Sequence, residues 1–149
     1  RDFDSDGGIG TVTRFIVEAD GGSRGNPGVA AGGAVVIDAE TGEILAEVGV
    51  FVGIATNNVA EYSGLIGGLR KAREIDATAS IHVRMDSKLV VEQMSGRWKI
   101  KHPDMRELAR EAQAVIAGAD VTFEWIAREF NSRADAVANA SMDRRDSFD

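Results

Sequence analysis

Four carboxylates in this 149-residue chain stand where sequence elements begin or end. Asp20 closes the β-rich run Phe15-Ile16-Val17-Glu18-Ala19 and is followed by Gly21, Gly22, Gly25 and Gly28. Asp86 closes a second such run, Ile81–Met85. Glu61 falls near a helix start, one position before Tyr62 on an apolar stripe, and Asp135 opens the last helical pattern. Each has an ordinary explanation: an Asp-Gly hairpin turn, a helix macrodipole, an N-cap. Together they suggest a metal site. Oxygen ligands without cysteine or clustered histidine suit a hard cation, Mg²⁺ or Mn²⁺. Several carboxylates in one place cannot all ionise without compensating positive charge. Two divalent ions about 3.5–4 Å apart supply it, and phosphoryl transfer is the chemistry such pairs serve.

The elements that must position these acids follow from periodicity. Residues 1–10 are polar and glycine-rich and read as a disordered leader. Their Asp-x-Asp-x-Asp-Gly run lacks the flanking helix and the later bidentate acid of a calcium loop. A strand from Thr11 ends at Asp20 and enters a glycine loop, whose bare backbone would let a ligand approach closely. Gly33–Asp38, the Thr41-Gly42 turn and Glu43–Val52 complete an antiparallel meander. Thr56-Asn57-Asn58 caps a helix reaching about Ile75, with Tyr62, Leu65, Ile66, Leu69 and Ala72 on one face. Strand Ser80–Met85 and short helix Lys88–Met94 follow. Ser95–His102 is a loop in which Arg97, Lys99 and Lys101 alternate with Trp98 and Ile100; it reads equally as a phosphate-contacting edge or as an ordinary edge with a buried Trp. A helix from Pro103 to Gly118, strand Val121–Ala127, polar loop Arg128–Arg133 and helix Ala134–Met142 end the pattern, and Asp143–Asp149 is expected to fray. The order is β-β-β-α-β-α-α-β-α.

Bulk properties fit one soluble domain: 44% apolar residues, 28% charged and no cysteine. Disulfides and thiolate metal sites are excluded. No apolar run approaches the ~20 residues of a membrane span, and a cytoplasmic address is the default. The net charge of −7 argues against a nonspecific polyanion binder, although part of it lies in the two termini. Position 1 is Arg rather than Met, so a piece of a longer protein is expected.

Four blocks, Asp20-Gly-Gly-Ser-Arg-Gly-Asn-Pro-Gly28, Thr56-Asn-Asn-Val-Ala-Glu-Tyr62, Met85-Asp-Ser87 and Asn131-Ser-Arg-Ala-Asp135, resemble in order and spacing the signature blocks of type 1 ribonuclease H. The resemblance covers about residues 12–142. It implies an α/β ribonuclease H-like fold: a five-stranded mixed sheet, three antiparallel strands then two parallel, with helices on both faces. The domain would span 11–142, with 143–149 a C-terminal tail that could begin a linker. It also implies that Asp20, Glu61, Asp86 and Asp135 are catalytic and hold two Mg²⁺ ions, with Mn²⁺ able to substitute. One ion would orient and deprotonate a water, the other would stabilise the leaving 3′ oxygen of an RNA phosphodiester, and the products would carry 5′-phosphate and 3′-hydroxyl ends. Ser23, Gly25 and Asn26 match positions that, with Glu61, contact ribose 2′-hydroxyls, the groups that distinguish RNA from DNA. Asn57 and Asn58 match minor-groove contacts, and Thr56 part of a pocket for a DNA-strand phosphate. Arg97, Trp98, Lys99, Lys101, Arg128 and Asn131 complete the expected substrate-binding set.

Two features depart from the family pattern. The loop Ile126-Ala-Arg-Glu-Phe-Asn131 lacks the histidine that many members carry before the last acid, and Arg128 or Glu129 is the candidate replacement. His82 and His102 read as structural. The long basic protrusion of some members is also missing, which leaves Ser95–His102 to grip substrate and places the chain in a handle-less branch. The expected activity is cleavage of the RNA strand of an RNA–DNA hybrid. The alternatives are a broader nuclease that also cuts double-stranded RNA, and a hybrid-binding module that does not cut. A monomer is expected, with no membrane partner, and a C-terminal phosphatase domain is fused to some relatives.

Overall fold

The structure is a computed structural model that describes residues 13–149. The leader expected at 1–10 and the start of the first strand at Thr11 lie outside the described residues. Strands β1 (Arg14–Arg24), β2 (Gly28–Asp38), β3 (Ile44–Ala55), β4 (Ser80–Met85) and β5 (Val121–Trp125) form one sheet in the order β3-β2-β1-β4-β5. The pairings β1–β2 and β2–β3 are antiparallel, and β1–β4 and β4–β5 are parallel. The helices are α1 (Asn57–Ile75), α2 (Lys88–Met94), α3 (Pro103–Val115) and α4 (Ser132–Arg144), with one 3₁₀ turn at Arg128–Phe130. This is the expected five-stranded mixed sheet. Among the described residues no helix is long and apolar enough to cross a membrane.

Alternation along the strands divides the molecule into two layers. Phe15, Val17 and Ala19 of β1 and Ile81, Val83 and Met85 of β4 face a core shared with Tyr62, Leu65 and Leu69 of α1 and Ala109 and Ala112 of α3. On the opposite face Ile16, Val35 and Ile37 meet Val137 of α4. Both α1 and α4 come down to backbone contact with the sheet. A Cβ at Gly64 of α1 would fall on the Asp20 carbonyl, one at Gly21 on the Ala60–Glu61 peptide, and one at Gly33 of β2 on the Ala138 amide of α4.

The glycine stretch therefore serves a different purpose from the one expected. It is hairpin rather than loop: β1 continues through Gly21 and Gly22 to Arg24, and β2 starts at Gly28, well before Gly33. The turn proper is Gly25-Asn26-Pro27, with Gly25 at φ +103°. Gly-Val-Ala-Ala-Gly-Gly lacks bulky β-formers, which hides it from propensity reading. Its residues are small because it is paired on both edges and roofed by a helix on each face.

Residues 143–149 do not fray. Asp143 and Arg144 finish α4, Arg145 turns left-handed at φ 52°, and Phe148 pairs with Gly49 on the outer edge of β3. The two backbone bonds are 2.7 and 2.9 Å. The Phe148 ring fills the space a side chain at position 49 would take and lies 4.3 Å from the Arg144 guanidinium. The Ser147 hydroxyl accepts the Phe51 amide at 2.9 Å. Sequence periodicity could not show this, because one aromatic in a charged tail has no period.

If α1 owes its seat to bare backbone, Gly64→Ala must lift the helix from β1. The expected cost is at least about 2 kcal/mol, read as a lower urea midpoint at unchanged slope. A midpoint equal to the parent's would show that α1 tolerates the shift.

Candidate active site

The β1–β4 ladder stops at the Ala19–Met85 pair. Asp20 is thus the first β1 residue beyond its parallel partner, and Asp86 the first residue after β4. Two neighbouring strands end their pairing together, and each presents a carboxylate at that point. Open α/β sheets gather ligands at the carboxyl ends of parallel strands. Asp86 is held firmly. Its Oδ1 accepts from Asn131 Nδ2 at 3.0 Å, and the same amide donates to the Ala19 carbonyl at 2.9 Å. The Asp86 carbonyl accepts the Trp125 indole N–H at 3.2 Å. Ser87, next in sequence, caps α2 through the Val90 amide at 3.2 Å.

The other two acids arrive on helices. Thr56 caps α1 by accepting the Val59 amide at 3.3 Å, and Asn57 joins that helix to the hairpin by accepting the Ser23 amide at 2.8 Å. The glycine contact at Gly21 then lets Glu61 approach the strand end. Asp135 lies in the first turn of α4, whose seat is Gly33. The four acids line one open cleft of about 590 Å³ together with Gly21, Gly22, Ser23, Arg24, Asn57, Asn58, Ser87, Lys88, Leu89, Arg128, Asn139 and Met142.

Burial and mutual repulsion govern their charge. Asp20 is raised from 3.8 to about 8, first by burial and then by the Asp86 carboxylate, with Asp135 near enough to share a hydrogen bond. Glu61 is raised from 4.5 to about 7 by burial and by Asp86, against a hydrogen bond from Ser87 that lowers it. The acids thus form a chain, Glu61 to Asp86 to Asp20 to Asp135, that disfavours full ionisation at neutral pH.

Of the residues expected from sequence to bind substrate, the cleft gathers Ser23, Asn57, Asn58 and Arg128. Asn26 and Thr56 line a neighbouring cavity of about 660 Å³ with Ile54, His102 and Met105, and Asn58 borders both. Gly25 sits exposed at the hairpin tip. Arg97, Trp98, Lys99 and Lys101 are exposed but do not line the cleft. The Arg97 guanidinium is engaged by Glu92 of α2, its Nε donating to both carboxylate oxygens at 3.0 Å. Asn131 is 1% exposed and does not line the cleft; its amide faces inward to Asp86 and Ala19, behind the acids. Glu129 is exposed and outside the cleft lining. His82 bonds Thr122 and Glu124 across β4–β5, and His102 caps α3 by accepting the Asp104 amide at 3.1 Å.

Sequence reasoning missed Arg24, Lys88 and Asn139. Asn139 was within reach, since it stands four residues after Asp135 and so shares its helix face. Arg24 was hidden by the loop reading. As the last residue of β1, it reaches across to α4, meeting Asn139 Oδ1 at 3.2 Å and Asp143 at 2.8 Å.

Comparison with known proteins identifies the family. The family model described as "Reverse transcriptase-like" matches residues 18–141. The chain is 54% identical over 131 residues to the bifunctional protein Rv2228c of Mycobacterium tuberculosis, covering 87% of this chain and 36% of that protein. It therefore spans about a third of that relative's length. The solved N-terminal RNase H domain of Rv2228c superposes with a TM-score of 0.84 at 52% identity, over 89% of this chain and 95% of that one. Ribonuclease HI of Halobacterium salinarum is 42% identical over 128 residues, 83% of this chain and 62% of that protein. LC11-RNase H1, isolated from compost and solved in complex with an RNA/DNA hybrid, gives 0.83 at 37% identity, over 89% and 99% of the two chains.

The raised Asp20 sets a pH dependence of stability. Between about pH 4 and 8 the folded chain keeps a proton that the unfolded chain has released. Stability must therefore fall as pH rises through that window, and Glu61 adds to the fall up to about pH 7. In chelator, the unfolding midpoint is expected to drop by several degrees from pH 5 to pH 8, and Asp20→Asn to remove most of that drop. A flat or rising profile would contradict the buried-acid geometry.

Proposed function

Because the chain belongs to the type 1 ribonuclease H family, we propose that it hydrolyses the RNA strand of RNA–DNA hybrids, leaving 5′-phosphate and 3′-hydroxyl ends. The observation that carries this reading is the meeting of Asp20, Glu61, Asp86 and Asp135, from four separate parts of the chain, at the point where β1 and β4 stop pairing. The complex of LC11-RNase H1 with an RNA/DNA hybrid supports the substrate.

The donor set fits Mg²⁺ or Mn²⁺. All four side chains offer oxygen, and two of them resist ionisation until positive charge arrives. Among the described residues no three acids or histidines stand close enough to form a ready-made cage. The carboxylates line an open mouth, which suits an ion that keeps several waters and takes further oxygens from a phosphate. Bound divalent ions would supply the Lewis-acid charge that in-line displacement at a phosphodiester requires. The chain's own part is placement. Asn131 fixes one Asp86 oxygen, so the other faces the cleft. Ser23 and Asn57, tied to each other, present the hairpin backbone beside Glu61, where ribose 2′-hydroxyls of the cut strand would be read. Thr56 borders the next cavity, where a DNA-strand phosphate would sit, and Asn58, between the two cavities, would face the minor groove. Asn26 borders that next cavity too, but its Oδ1 accepts the Asn57 amide at 3.1 Å, which keeps it with the ribose-reading hairpin. Arg128, which lines the cleft with the acids, is the candidate for the work of the missing loop histidine. With Arg97 held by Glu92, Lys99 and Lys101 are left to contact phosphate outside the cleft, and Trp98 to touch a sugar or base. A further domain after Asp149 belongs to this reading, because the solved RNase H domain of Rv2228c is the N-terminal part of a bifunctional protein.

A 5′-labelled RNA strand tests the proposal, offered as a hybrid with DNA, as an RNA duplex and alone. The hybrid should be cut in Mg²⁺, with no cutting in chelator and none by Asp86→Asn. Folded parent protein that leaves the hybrid intact in both Mg²⁺ and Mn²⁺ would overturn it. Equal cutting of the RNA duplex would widen the substrate class and remove the role given to the DNA-side contacts.

A further inference from the structure

Three of the four cleft acids have a charged residue two positions earlier: Glu18 before Asp20, Arg84 before Asp86, Arg133 before Asp135. On a strand, a step of two keeps the same face. Glu18 and Arg84 are also register partners on β1 and β4, so they lie side by side directly behind Asp20 and Asp86. Arg133 comes from the first turn of α4 to meet Glu18. Its Nε and Nη2 donate to the two Glu18 oxygens at 3.0 and 2.8 Å, a bidentate fork. The Glu18 side chain is only 3% exposed, while Arg133 is 47% exposed.

A buried carboxylate is a poor device for stability alone. Its desolvation offsets most of what one half-exposed partner returns, and an apolar pair of similar volume serves folding as well or better. What a fork adds is direction. Apart from the exposed contacts of Arg24 with Asn139 and Asp143 farther along the helix, the remaining seat of α4 is formed by small or flexible apolar groups: Ala134, Ala138 and Met142 over Gly33 and Ala31, and Val137 over Val35 and Ile37. Such a face resists separation better than sliding. Near its start the helix is tied to β1 by Asn131, through the Ala19 carbonyl, and by the Glu18–Arg133 fork. Asp135 lies half a turn beyond the fork.

We propose that Glu18 and Arg133 are a positioning pair, which fixes where the first turn of α4 lands on β1 and so holds Asp135 against Asp20. This rests on the nuclease reading above. Neither side chain touches substrate. Their effect passes through Asp135 to the ion-holding geometry, and displacement on the scale of an ångström is enough to slow a positioned reaction about a hundred-fold.

The decisive variant is the double replacement Glu18→Met with Arg133→Met, which removes the ion pair without leaving a buried charge. Its unfolding midpoint is expected to stay near the parent's. Its kcat on the hybrid should fall about ten- to a hundred-fold with KM changed by less than about threefold, as for a group acting after binding. Mn²⁺ affinity, measured by calorimetry without substrate, should fall about tenfold. Arg133→Lys keeps the charge but not the fork, and should give an intermediate kcat at near-parental stability. A double variant with parental midpoint, kcat and Mn²⁺ affinity would reduce the pair to a stability contact and overturn the proposal. If the double variant does not fold, Arg133→Lys decides: parental kcat and Mn²⁺ affinity would overturn it equally. Failure of the nuclease reading is separately visible, as folded parent that binds Mn²⁺ and cuts no hybrid. The Mn²⁺ comparison would then still test the pair.

Discussion

The closeness of helix to sheet governs this molecule. Where Gly64 meets the Asp20 carbonyl, Gly21 the Ala60–Glu61 peptide and Gly33 the Ala138 amide, nothing but hydrogen separates one backbone from another. Helices usually rest on sheets through side chains that leave a spacing of about 10 Å. Here that cushion is absent where α1 crosses β1 and where α4 crosses β2. A carboxylate side chain is short, and acids on α1, on β1, just past β4 and on α4 can share one cleft only if their backbones are this near. The small residues of Gly28–Gly33 and the helix glycines are therefore part of the site, though none has a functional group.

The same closeness creates the electrostatic problem the site must live with. Buried Asp20 and half-buried Glu61 stand beside Asp86, and both retain protons well above their ordinary range. A fold built for stability alone would not collect these groups. The structure spends rigid contacts on keeping them gathered: Asn131 spans the Ala19 carbonyl and Asp86, Trp125 holds the Asp86 backbone, and Glu18 with Arg133 ties the strand to the last helix.

Much of this was legible in the sequence. Element order and sheet composition followed from alternation and helical spacing, since Phe15–Ala19, Ile81–Met85 and the Tyr62–Ala72 stripe are strong periodic signals. The four acids were legible because each stood at an element boundary. The parts that escaped have one physical reason: they depend on what packs from elsewhere. Gly28–Gly33 reads as loop until α1 and α4 are known to cover it. Asn131 reads as a substrate contact until Ala19 and Asp86 are seen to enclose it. Arg97 reads as free cation until Glu92, five residues away in an unfavourable register for prediction, is found beneath it. Phe148 reads as tail until Gly49 offers it a gap.

That last contact has a mechanical meaning. The chain's final residues leave along the outer edge of β3 by one bridged pair, Gly49 with Phe148, whereas β1 is clamped in the middle of the sheet between β2 and β4. Tension applied beyond Asp149 would pull on the edge bridge in a peeling geometry, where bonds break one after another. Tension applied ahead of Arg14 would load the central ladders lengthwise, where they resist together. The two ends of the domain thus differ in how they bear force. A pull at the C-terminal end meets its weak link at the edge strand, and the strap must give way before the strain reaches α4 and the acid it carries.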